Sequence, residues 1–321
     1  MKARRNLILL IALLAAGGVA FFFEGSFSLH GGPSKGTLLV FPGFEPWKVN
    51  KIDIGNGDLV FENLDGNWFL VTESRHHPAD RKQVTALLQA IRELKRDNIV
   101  SENRSKHPLF GVKAGEGTEI VFFDLDGKRL AGFLVGIKGP DGLSAYIRRT
   151  DGDEVILQPG NLRDHLDKPA KLWRERKIFS LKSHDIVEMT FQIEQETILL
   201  NRDTRGGWFI VKPVARKADG GRVEQVISIL NELEAADFAD SLNPGDAGLI
   251  TPPLRLAVRL KDRSMKMLLI GYPANEWGHY AMTGEDQSVL VLQNGVVRAL
   301  FPEIKDLEAS VMDESENPSA Q

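Results

Sequence analysis

Two stretches of this chain repeat one another, and that duplication restricts the fold more than any other feature. Asn67-Trp68-Phe69-Leu70-Val71 recurs as Gly207-Trp208-Phe209-Ile210-Val211. An Ala-Asp pair follows each, Ala79-Asp80 and Ala218-Asp219. Val84, Leu87, Leu88, Ile91 and Leu94 are then answered by Val223, Val226, Ile227, Leu230 and Leu233, every pair 139 positions apart. Steps of three and four place all five on one face of an amphipathic helix, in both copies. Asp80 and Asp219 stand where an N-cap belongs, offering a carboxylate to the free N–H groups of the first turn. Gln83 completes a capping box behind Asp80; Arg222 takes that place in the second copy, whose box is incomplete.

The parallel runs on with a slowly shrinking offset, as small loop deletions would produce. Gly136 matches Gly271, Tyr146 matches Tyr280, and Val155-Ile156-Leu157 matches Val289-Leu290-Val291. Each copy then ends in a short apolar-patterned piece, Leu162 to Leu166 and Val296 to Leu300. Turn chemistry separates the strands at Asp124-Leu125-Asp126-Gly127-Lys128 and Thr150-Asp151-Gly152-Asp153. The pattern reads β-β-α-β-β-β-β per copy, so the expected fold class is α+β, a tandem duplication of a β-rich unit with one amphipathic helix per copy. Repeat 1 is placed at residues 47–170 and repeat 2 at 185–305. Between them, the connector 171–184 carries Trp173-Arg174-Glu175-Arg176 and should be packed rather than loose.

Lys2, Arg4 and Arg5 precede an uncharged apolar run from Leu7 to Phe23 that ends at Glu24. Seventeen helical residues span roughly 26 Å, close to the hydrocarbon thickness of a bilayer. Positive charge ahead of the run keeps the N-terminus in the cytoplasm and sends the rest across. Gly18-Val19-Ala20 would serve as a cleavage site, but Phe21, Phe22 and Phe23 continue the run past it, so residues 1–24 are expected to remain as a transmembrane anchor. Residues 25–46 read as a tether, with Gly and Ser concentrated from Gly25 to Gly36. Residues 306–321 read as an acidic disordered tail. A net charge of −4 over 321 residues gives no reason to expect nucleic acid as a partner. The absence of cysteine excludes disulfides, thiolate metal sites, a cysteine nucleophile and a lipoprotein-type lipid anchor.

Reactive constellations fare poorly. His76-His77-Pro78-Ala79-Asp80 offers metal-ligand residue types, yet adjacent histidines diverge along an extended chain and no third ligand stands at a recognised spacing. The second copy has Arg216-Lys217-Ala218-Asp219 there, without histidine, which favours a loop and a cap. Asp124-Leu125-Asp126-Gly127 lacks the continuing ligands of a calcium loop and reads as a hairpin turn. Gly142-Leu143-Ser144-Ala145-Tyr146 lacks the second glycine of a nucleophile elbow, and Ser180 and Lys182 are two apart instead of three. Trp68 and Trp208, alike in both copies amid alternating apolar residues, are read as core. The singled-out residues Trp68, Asp80, Trp208 and Asp219 are thus structural; no catalytic, cofactor or metal residue is assigned.

The Trp-bearing strand, the Ala-Asp before a helix, the later Gly and Tyr, and the Trp-Arg-Glu-Arg connector together resemble the domain-of-unknown-function 4340 family, over roughly Trp47 to Glu303. The resemblance implies bacterial membrane-anchored proteins without an established activity, some accompanying gliding-motility-type components of ABC transporters. The expectation is a non-enzymatic, single-pass interaction or scaffold protein of the bacterial cytoplasmic membrane, its bulk periplasmic or otherwise extracytoplasmic. Its partner would be a membrane-protein complex such as a transporter. Two other readings stand beside it: a polysaccharide or peptidoglycan binding module using Trp277 and Tyr280, and a hydrolase with its site between the repeats.

Overall fold

The computed structural model describes residues 38–72, 75–160 and 162–309. The expected membrane span, the Gly/Ser stretch and most of the acidic tail lie outside them; among the described residues no helix is long and apolar enough to cross a membrane.

Each copy builds one antiparallel sheet. The first has β1 (Lys51–Ile54), β2 (Leu59–Leu64), β3 (Asn67–Val71), β4 (His76–Pro78), α1 (Arg81–Arg92), β5 (Ile99–Ser101), β6 (Thr118–Phe123), β7 (Arg129–Lys138), β8 (Ala145–Arg149), β9 (Val155–Gln158) and α2 (Leu162–Leu166). The second has β10 (Ile186–Ile193), β11 (Glu196–Arg202), β12 (Trp208–Lys212), β13 (Arg216–Lys217), α3 (Gly220–Asn231), β14 (Asp237–Phe238), β15 (Leu254–Leu260), β16 (Met265–Asn275), β17 (Gly278–Thr283), β18 (Leu290–Gln293) and α4 (Asn294–Leu300). The strand orders are the same, β4-β3-β2-β1-β6-β7-β8-β9-β5 and β13-β12-β11-β10-β15-β16-β17-β18-β14. Register fixes the correspondence: Ile52 lies opposite Phe61 and Phe122, as Met189 lies opposite Leu200 and Val258. A duplicated, β-rich unit is therefore the architecture.

The pattern expected from periodicity, two strands before the helix and four after, is short of the four and five found. The missing strands are too brief to alternate: Arg216–Lys217 and Asp237–Phe238 are two residues each, and a period of two needs several residues to show. The copies also take in more chain than the periodic segments mark. Val40 N–H donates to Leu94 O at 2.8 Å and Arg96 N–H to Leu38 O at 2.7 Å; in the second copy Ile178 N–H donates to Leu233 O at 2.9 Å and Ala235 N–H to Arg176 O at 2.8 Å. At the far end, Asp80 N–H donates to Trp173 O and Asp219 N–H to Leu307 O. Arg174 forms a bridge with Ala79, and the Arg176 carbonyl accepts from Ala235 N–H. By packing, the chain falls into two compact units, the first ending at Lys168 and the second starting at Pro169, with His76–Arg81 grouped with the second.

The helix stripe covers one face of each sheet. All ten residues of the duplicated stripe are buried, but the helices end at Arg92 and Asn231, so Leu94 and Leu233, expected on the helix face, pack from just beyond it. In the second unit Val223, Val226, Ile227, Leu230 and Leu233 share a core with Met189, Leu200, Trp208, Ile210, Leu256 and Val258. Trp208 and Ile210 point inward while Phe209 and Val211 are exposed, the period-two alternation of a half-buried strand. The opposite face carries a smaller cluster in each copy: Val112, Leu134 and Val155 with Phe110 and Tyr146, and Ala247, Leu249 and Val289 with Tyr280 and Met282.

Asp219 caps α3, its carboxylate accepting from Arg222 N–H at 3.1 Å. Asp219→Ala should lower the unfolding free energy by about 1 kcal/mol. Chemical denaturation checks this, and an unchanged midpoint would remove the cap from the account.

Candidate interaction surface

Three loops meet at one end of the first sheet. They are the turn Pro46–Lys48 before β1, the β2–β3 turn and the β6–β7 turn. Antiparallel pairing of Lys51 with Glu62 and with Phe123 brings them to the same edge. Asn50 ties them further, its N–H donating to Phe123 O and its carbonyl accepting from Asn63 N–H, both at 2.8 Å.

Each loop presents one large apolar side chain to solvent: Trp47 is 70% exposed, Leu64 45% and Leu125 80%. They line a single shallow depression of about 680 Å³ together with Asp65, Asp124 and Asp126. The turns are stiff. Asp65 and Gly66 both take left-handed backbone (φ 52° and 84°), and Gly66 N–H donates to Asn63 Oδ1 at 2.9 Å. Asp124 Oδ1 accepts from Asp126 N–H at 3.1 Å and Lys128 N–H at 2.8 Å, holding Leu125 at the tip. That geometry is a hairpin turn, with the carboxylate spent on the main chain. An exposed tryptophan between two leucines on fixed loops is the composition of a docking anchor, with an acidic rim. Burying about 100 Å² of the indole would contribute about 3 kcal/mol to association.

The second copy supplies the internal control. By register and turn position, Trp47, Leu64 and Leu125 correspond to His184, Asp203 and Lys261. There the loops present polar groups: His184 Nε2 lies 3.4 Å from Asp185 Oδ1, and Asp203 Oδ1 accepts from Arg205 N–H at 2.9 Å and Gly207 N–H at 2.7 Å. The same scaffold therefore forms with a polar end, and the apolar end of the first copy is not a requirement of the fold.

The residues singled out by sequence lie elsewhere. Trp68 and Trp208 are both buried. Asp80 directly precedes α1. His76 is exposed and His77 buried, on β4 instead of in a loop, and among the described residues no three His, Asp or Glu side chains gather as metal ligands. Ser144 Oγ donates to Asp141 Oδ1 at 2.6 Å, and that hydrogen bond holds the Asp141 carboxyl below its ordinary range. Arg174 is buried, stacked 3.7 Å from the Phe238 ring centroid and paired with Asp240 at 2.6 Å. Tyr280 packs into the second unit's smaller cluster while Trp277 is exposed, so the two do not form an open aromatic row. Trp47, Leu64 and Leu125 escaped the sequence reading because periodicity reports core positions. Setting the turns of the two copies side by side would have exposed them.

Fold and surface define a class: a duplicated β-rich protein whose copies keep one core and differ in what they show to solvent. The model of the domain of unknown function DUF4340 matches residues 68–252, more than half of the chain, and the protein belongs to that family. No curated protein and no solved structure matches it.

Proposed function

We propose that the protein is a non-enzymatic interaction protein, held on the outer side of a bacterial cytoplasmic membrane by its N-terminal apolar run. The end of the first copy docks onto a membrane-protein partner. One observation carries the reading: three exposed apolar side chains on rigid turns, at positions where the sister copy has His184, Asp203 and Lys261. The charge pattern ahead of Leu7 supports the topology, and the tether allows a neighbour in the same membrane to be reached. The acidic rim of Asp65 and Asp126 suits an apolar pocket edged by basic groups. Assignment of the partner to an ABC-type transport complex rests on the family resemblance alone.

Purification in mild detergent after crosslinking should recover a stoichiometric membrane-protein partner. Recovery should fail for the variant carrying the sister-copy residues, Trp47→His with Leu64→Asp and Leu125→Lys. A chain that runs alone, or a triple variant that retains its partner, contradicts the proposal.

A further inference from the structure

We propose that a cleft in the first unit binds a phosphate-type anion, with the Arg148 guanidinium as its floor and Arg104 at its rim. The cleft encloses about 710 Å³ and is lined by Arg104, His107, Lys113, Arg148, Asp151 and Asp153 among others. Arg148 lies on β8, on the face away from the helix, and is only 7% exposed. Its Nε donates to Val112 O at 2.9 Å, and its Nη1 to Arg149 O at 3.0 Å and Gly152 O at 2.8 Å. Those three carbonyls fix the guanidinium, and Nη2 has no hydrogen-bond partner among the described residues.

The sister copy shows that this charge is not there for the fold. Arg148 lies opposite Leu134, and Met282 lies opposite Leu269. Met282 completes the apolar cluster of Ala247, Leu249, Val289 and Leu242. The first copy thus places a buried cation where an apolar side chain serves, at a desolvation cost that carbonyl oxygens offset only in part. Burial pushes the Arg148 guanidinium below its ordinary value, with Asp153 acting in the opposite sense.

The charges around it leave a positive excess. Asp151 is held by Arg149 through two contacts of 2.8 and 2.6 Å, and Lys113 pairs with Glu116 at 2.8 Å. Asp153 Oδ1 lies 3.9 Å from His107 Nε2, which itself bonds Asp153 O at 3.0 Å. Arg104 makes no ion pair among the described residues. Two guanidiniums lining one cleft, neither in an ion pair among the described residues, call for an anion with several acceptor oxygens, the chemistry of a phosphate.

Such a phosphate could come from a lipid headgroup or from a soluble phosphate ester. Glycerol 1-phosphate titrated calorimetrically into the full chain in dodecyl maltoside micelles should bind saturably. Arg148→Met, the sister-copy residue, should weaken binding at least about tenfold, with a thermal midpoint equal to or above that of the unsubstituted chain. Arg104→Gln, at the exposed rim, should weaken it about threefold, and keeps the test alive if the buried substitution misfolds. In phosphatidylglycerol nanodiscs the heat disappears if the cleft takes lipid headgroups and persists if it takes soluble esters. Absence of saturable heat in micelles, or undiminished binding by both variants, overturns the proposal.

Discussion

Trp208→Ala should destabilise the second unit by about 3–5 kcal/mol, the range for deleting a buried aromatic. The indole is buried in the core with Ile210, Val223 and Val226. Its Nε1–H donates to Glu224 Oε1 at 3.3 Å, and the Arg202 guanidinium lies 5.4 Å from the ring centroid. Removing it empties a core position and strips two charged groups of their aromatic neighbour. Phe209, one residue on, points to solvent, so Phe209→Ala should lower the unfolding free energy by about 0.5 kcal/mol or less in a urea titration. Equal effects of the two substitutions would contradict the strand alternation on which the core assignment rests.

A methyl group at Gly136 or at Gly271 should cost about 3 kcal/mol, the upper range for overpacking. In each copy a segment crosses the open face of the sheet and brings a carbonyl against this glycine. A Cβ would lie 1.9 Å from Phe110 O at Gly136, and 2.0 Å from Ala247 O at Gly271. The next residues, Gly111 and Gly248, adopt left-handed backbone at φ 65° and 71°, so the crossing segment turns there and cannot slide away. Gly136→Ala and Gly271→Ala should therefore lower the unfolding midpoint alike, while Gly43→Ala, with nothing within 4 Å of its Cβ, should leave it unchanged. A tolerant Gly271 beside an intolerant Gly136 would show that the two crossings are not equivalent.

Much of the scaffold is legible in the sequence because burial leaves a period. The residues from Val84 to Ile91 and their sisters from Val223 to Leu230 mark two helices by spacing alone, whereas Leu94 and Leu233, though equally buried, lie past the helix ends. Gly136 and Gly271 could be matched by position, but the reason for them could not. The carbonyls they accommodate belong to Phe110 and Ala247, more than twenty residues away. Strands such as Arg216–Lys217 have no pattern to read, since a two-residue bridge is held by main-chain bonds that any side chain permits. The candidate surface was the least legible part. Trp47, Leu64 and Leu125 are scattered through the sequence, and only strand register brings them to one edge. His77 went the other way: it looked like part of a polar loop and is buried on β4.

The two copies share a scaffold, and the apolar end of the first is proposed to make the contact. A photo-crosslinking residue placed at position 47, and separately at the sister position 184, tests it within one protein in living cells. A discrete adduct with a membrane protein is expected from position 47 and none from position 184. Adducts from both positions alike, or from neither while the protein is folded and present at normal level, would contradict it.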